Sequence, residues 1–178
     1  RKGITRGQFE EAIRTGSMEN MIHSVEPRAG QSIFIPSGRL HAIGAGMLIY
    51  EIQQNSDTTY RVFDWNRVGL DGRPRDLHVR ESLASIDFTD YEPVMDQPKG
   101  QNLATCRHFK VDFLKLPTGA TICNPDPDRF SIITVTSGEI RDKSGTVYST
   151  GDFLLLPRGP VKLAAVKSTS FLQTTLPH

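Results

Sequence analysis

The residues of this sequence with the most chemistry to offer lie close together, between His41 and Arg61. His41 stands alone among small residues. A neutral imidazole is a good zinc ligand, and a catalytic zinc keeps one position open for water or substrate. The same histidine could equally be a half-buried structural group. Glu51 and Gln53 follow at alternate positions, so they share one face of an extended segment with Met47 and Ile49. Burying them costs free energy unless each finds a hydrogen-bonding partner. Either a polar-lined pocket receives them, or they line the wet face of a half-solvated sheet. Asp57 closes the run Asn55-Ser56-Asp57, where its side-chain oxygen can cap a turn or reach a substrate. Arg61 comes after that turn. A fixed guanidinium can stabilise negative charge developing on a substrate oxygen, or it can pair with Glu51 across a hairpin.

The elements that must position these groups are short. An apolar strand is expected over 32–35, broken by Pro36 and Gly38. A second strand is expected over 47–53 and a third, returning, over 59–64. Upstream, Phe9, Ala12 and Ile13 fall on one helical face, which predicts a helix over 7–15 stopped at Gly16. Ser17 can cap a second short helix carrying Met18, Met21 and Ile22. Leu77, Arg80, Glu81 and Ala84 share helical spacing and predict a helix over 77–86.

Several runs together carry a family likeness. PSGRLHAIG, then YEIQQNSDTTYRVFDW, then GRPRDLH, with GITRGQFEEAIRTG upstream, strongly resemble the zinc-dependent type I phosphomannose isomerases, in particular the short bacterial form. The likeness is dense over 3–85 and continues by strand order to the end. It implies an all-β fold of cupin (jelly-roll) barrels with a small helical insert near the start. It also implies that His41 is one of four zinc ligands, the other three being a glutamine, a histidine and a glutamate with no counterpart here. His23, His78, His108 and His178 stand in no matching context and read as structural or surface groups. Arg61 matches the arginine that the family places beside the metal and treats as catalytic. Glu51 is a candidate for the proton-transferring base, and Gln53 and Asp57 for substrate contacts. Arg67, Arg73, Arg75 and Arg80 form a basic cluster able to meet a phosphate, since arginine offers bidentate geometry for one. The sequence does not choose among them, and Arg75 with Asp76 could simply anchor the helix that follows.

Composition excludes several classes. Of 178 residues, 37% are hydrophobic and 23% charged, and the net charge is +1. A nucleic-acid partner would call for a clear basic excess. No apolar run approaches the roughly 20 residues of a membrane span, and no signal peptide is visible. Cys106 and Cys123 are the only cysteines, so no disulfide framework is implied and a reducing cytoplasm is the expected location. Gly44 and Gly46 precede a strand, the reverse of a dinucleotide fingerprint. Paired-cysteine zinc motifs and a nucleophile elbow are absent.

From Leu103 onward short segments recur between turn signals. Strands are expected over 103–109, 111–116, 120–123, 130–136, 139–142, 145–148, 152–156, 161–166 and 169–175, a spacing typical of sandwiches and barrels. The run GQSIFIPSG at 30–38 is echoed by GDFLLLPRG at 151–159, as if one unit were used twice. In the second copy Lys162 stands where the first has His41. The expected division is therefore residues 1–90 as the carboxy-terminal portion of a metal-bearing barrel, 91–102 as a linker, and 101–178 as a second, metal-free barrel.

The resemblance implies interconversion of mannose 6-phosphate and fructose 6-phosphate, with one Zn²⁺ per intact protein and a small sugar phosphate as partner. It further implies that this sequence is the carboxy-terminal part of a longer protein, lacking three metal ligands and inactive alone. Fold does not fix function, and a non-catalytic sugar-phosphate-binding or regulatory cupin module is the rival. An iron oxygenase would need two histidines and a carboxylate, and no second matching histidine is present.

Overall fold

The computed structural model describes residues 1–178 apart from Asp57, Asn66, Pro98 and His178. The chain divides into two compact units, Arg1–Met95 and Asp96–His178.

The second unit is a two-sheet sandwich. A five-stranded sheet has the order β1 (Asn102–Thr105), β2 (Lys110–Leu116), β9 (Thr169–Thr175), β4 (Ser131–Ser137), β7 (Phe153–Leu156). A four-stranded sheet has the order β3 (Thr121–Cys123), β8 (Lys162–Ala165), β5 (Glu139–Arg141), β6 (Val147–Ser149). All pairings between these strands are antiparallel. Side chains alternate between core and solvent, most plainly on β7 and β8, where exposed and buried residues take turns. The inward set packs as one cluster of Ile122, Ile133, Val135, Ile140, Leu154, Leu156, Leu163 and Phe171. This is a jelly roll of cupin type whose sheets do not close into a barrel. The nine strands fall on the expected segments. The first is shorter than expected because the Cys106 N–H turns back to the Phe109 carbonyl at 2.9 Å, ending the ladder.

The first unit has helices and extended chain. α1 (Arg6–Thr15) starts at a capping box in which Thr5 and Gln8 satisfy each other's backbone N–H. It ends at Gly16, whose φ of 71° suits glycine. Met18–Asn20 form a 3₁₀ turn after Ser17, although the Ser17 side chain makes no cap hydrogen bond. α2 (Val79–Ser85) is shorter than the expected 77–86. Its inward face carries Val79 and Leu83, with Ile86 beyond its end, while Leu77 lies outside the helix and is exposed. Phe9, Ala12, Met18, Val62 and Leu83 form the small core of this unit.

The three strands expected over 32–35, 47–53 and 59–64 do not form. Among the described residues of this stretch none belongs to a strand. A strand exists only as part of a ladder, and among the described residues these segments join none. The period-2 pattern survives locally: Tyr50 and Ile52 are half-buried while Ile49, Glu51 and Gln53 are exposed. The sequence echo is likewise realised in its turn, not in its strand. Gly38 and Gly159 both take positive φ, at 88° and 108°. Residues 153–156 form β7, whereas 32–35 belong to no strand. No helix among the described residues is long and apolar enough to cross a membrane.

Candidate active site

Arg61 lies on the extended segment that expectation made a strand, and it is tied down at both ends. Its backbone carbonyl accepts from the His78 N–H at 2.7 Å, and its own N–H donates to His78 Nδ1 at 3.3 Å. Its guanidinium Nη1 donates to the Asp76 carbonyl at 3.2 Å, and Nε stands 4.0 Å from Asp64 Oδ1. Asp64 is in turn gripped by Arg75, whose Nε donates to Oδ2 at 2.7 Å and whose Nη2 donates to Oδ1. These hydrogen bonds hold the Asp64 carboxyl below the usual carboxylate range, with the charges of Arg75, Arg61 and Arg67 adding to the effect against partial burial. The same bonds raise the Arg75 guanidinium.

The local chain explains the geometry. The loop after Asp64 doubles back through Gly69 and Gly72, with the Gly69 N–H bonded to the Arg73 carbonyl at 2.7 Å and Val68 bridged to Pro74. That return lays residues 73–78 alongside 61–64. Between them opens a cleft of about 470 Å³ lined by Arg61, Asp71, Arg73, Pro74, Arg75, Asp76 and His78. Of the four arginines expected to form a basic cluster, Arg73 and Arg75 reach this cleft. Arg67 instead lies over the Trp65 ring at 5.7 Å, and Arg80 is exposed beside Glu81. Arg75 pairs with Asp64, not with Asp76.

His41 is exposed, and its Nδ1 lies 3.0 Å from the Arg39 carbonyl. A carbonyl only accepts, so Nδ1 carries the proton, and in the neutral ring Nε2 then has the lone pair. This is the arrangement commonly seen in metal-binding histidines, whose second nitrogen is oriented by a carbonyl. Arg39 is itself fixed by a two-point ion pair with Asp90, at 2.6 and 2.9 Å. Glu51 and Gln53 are exposed and stand outside the Arg61 cleft. No hydrogen bond or ion pair among the described residues joins His41, Glu51 and Arg61. The pairing of Arg61 with Glu51 across a hairpin is replaced by contacts to Asp64 and Asp76, because the hairpin itself does not form. Asp57 lies outside the described residues.

Sequence reading did not single out Asp64, and it set His78 aside. Their roles depend on a loop closure that brings 61–64 to 75–78, and no local pattern announces it. The only hint was the density of Asp and Arg between 57 and 76.

The comparisons with known proteins bear on the whole chain. No family model matches it. The chain is 33% identical over 165 residues to mannose-6-phosphate isomerase ManA of Bacillus subtilis, a match covering 87% of this chain and 52% of that protein. It is 39% identical over 79 residues to a mannose-6-phosphate isomerase of Streptococcus mutans, covering 44% of this chain and 25% of that one. The crystal structure of the Bacillus subtilis mannose 6-phosphate isomerase superposes with a TM-score of 0.81 at 23% identity, over 97% of this chain and 57% of that one. The chain thus spans about half the length of the Bacillus protein, and less of the others. Fold and likeness together define a cupin. More particularly, the chain is similar to the mannose-6-phosphate isomerases, over 87% of its own length and 52% of the Bacillus protein's.

Proposed function

We propose that the chain carries part of the catalytic apparatus of an aldose–ketose isomerase interconverting mannose 6-phosphate and fructose 6-phosphate. The observation that supports this best is the 33% identity to a mannose-6-phosphate isomerase over 165 residues, joined to an arginine braced at the edge of a basic cleft. Isomerisation moves a proton between C1 and C2 and places negative charge on an enediolate oxygen. Arg61 is the residue that stabilises that charge. Arg73, which lines the same cleft, suits the phosphate. Glu51 remains the candidate base, and Gln53 and Asp57 the candidate substrate contacts.

Zinc, one per intact protein, is part of this proposal. As a Lewis acid it would polarise the sugar oxygens. His41 fits as one ligand, since its Nδ1–H is held by a carbonyl and its Nε2 is available. The described residues contain no group of three or more His, Cys, Asp or Glu able to hold a metal. The remaining ligands would have to come from outside them, and this chain alone should bind zinc weakly and turn over poorly if at all. A cytoplasmic location and a small sugar phosphate as partner, with no nucleic acid or membrane, complete the reading. A second reading, a non-catalytic sugar-phosphate-binding module, is favoured by that missing ligand set.

The test compares Arg61→Ala and His41→Ala in the protein carrying the full ligand set, each checked for folding. Arg61→Ala should keep zinc and lose about 10²–10³ in rate, the usual cost of one preorganised donor. His41→Ala should lose both. Near-normal turnover in Arg61→Ala would overturn the catalytic assignment. Absence of turnover in the zinc-loaded wild type would favour the binding module.

A further inference from the structure

The contacts around Arg61 carry one inference beyond its role in isomerisation. Its backbone is locked at both polar atoms by a single residue, His78. A backbone N–H only donates, so the Nδ1 that receives it must bear a lone pair. The imidazole is therefore neutral, with its proton on Nε2, opposite to the tautomer of His41. His78 is also the N-cap of α2, and its carbonyl accepts from the Ser82 N–H at 2.8 Å. Its ring sits against Tyr60, with centroids 6.2 Å apart. One residue thus couples the chain at Arg61 to the start of a helix. Two positions earlier on the same strand of chain, the Asp76 carbonyl holds the far end of the Arg61 side chain.

We propose that His78 is the positioning residue for Arg61: as the neutral Nε2–H tautomer it fixes the Arg61 backbone, so that the guanidinium enters the cleft in one pose. The proposal rests on the isomerase reading for what Arg61 does, but not for how Arg61 is held. Removing the Nδ1 acceptor, or replacing it by a donor, would free the Arg61 N–H, leaving the His78 N–H on the Arg61 carbonyl and Asp64 and Asp76 at the guanidinium. Small misplacements of a catalytic group are costly: about 1 Å can lose 10²-fold in rate.

The decisive experiment is nitrogen NMR on the full chain, labelled with ¹⁵N. In the wild type the His78 Nδ1 resonance should be that of an unprotonated imidazole nitrogen and Nε2 that of a protonated one. Amide exchange at Arg61 should speed up about five- to tenfold in His78→Ala, the equivalent of one net hydrogen bond of about 1 kcal/mol. His78→Asn should restore slow exchange, because Asn Oδ1 offers an acceptor near the Nδ1 position and Asn is a good N-cap. A protonated Nδ1, or an Asn variant that exchanges as fast as the Ala variant, overturns the proposal. The kinetic arm uses protein with the full ligand set. His78→Ala should lower kcat about tenfold with KM within about twofold, and His78→Asn should recover it. Unchanged kcat in His78→Ala, against an active wild type, also overturns the proposal. An inactive wild type sinks the isomerase reading instead, while the NMR result still decides how Arg61 is held.

Discussion

Leu154 and Leu155 are neighbours on β7, identical in chemistry and opposite in surroundings. Leu154 is 7% exposed and belongs to the central cluster of the sandwich. Leu155 is 64% exposed on the other face. In the ladder they lie across from Ile133 and Ile132 of β4, respectively. Truncating a buried leucine to alanine removes its transfer free energy and leaves a cavity, together about 2–5 kcal/mol. For Leu155 only about a third of the side chain is withdrawn from water. From about 1.5–3 kcal/mol for full burial, the loss should be about 1 kcal/mol or less. The two variants should therefore differ by at least about 1–2 kcal/mol, with Leu154→Ala the less stable. Urea unfolding followed by far-UV circular dichroism measures this. Tryptophan fluorescence does not serve, since the sole tryptophan, Trp65, belongs to the other unit. The slope against urea should be unchanged if both variants keep the native fold. Equal losses would mean that the two faces of β7 are not distinct. A larger loss at Leu155 would mean that the strand is shifted by one residue, because a slip of one exchanges the faces.

Gly138→Ala should destabilise the sandwich by about 2 kcal/mol or more, since a left-handed backbone costs an L-residue about 1–2 kcal/mol before any clash. Here a Cβ would also stand 2.5 Å from the Ser168 carbonyl oxygen, at a φ of 84°. Gly145→Ala, with positive φ but open space around it, should lose less in the same urea assay. Thr5→Ala removes the capping box of α1 and should cost about 1 kcal/mol, read as earlier thermal loss of helix signal. Asp64 is held below the usual carboxylate range, so its ion pair stabilises fully above the unfolded value of about 4 and fades as pH falls through the lowered folded value. Asp64→Asn should therefore be less stable than wild type near about pH 7, with the gap closing below about pH 4. A gap that persists in strong acid would refute the charge-based account.

The sequence by itself determined the sandwich. Each strand from β2 to β9 carries its own inward and outward residues and is bounded by turn signals, so local pattern and tertiary partner agree. Runs such as FLLLPRG name their strand and their turn together, and Gly16 and the Thr5–Gln8 pair announce both ends of α1. The family likeness and the candidates His41 and Arg61 were also legible, because they sit in a dense run of distinctive residues. Residue type does not encode whether an extended segment finds a ladder partner. The segments 32–35, 47–53 and 59–64 have the right composition but join no ladder among the described residues, and Glu51 and Gln53 are exposed. Only the tertiary structure put Asp64, Arg75 and His78 around Arg61. Those contacts arise from a loop that doubles back through Gly69 and Gly72, and hydrogen bonds between positions 11 to 17 residues apart leave no periodic trace in the chain.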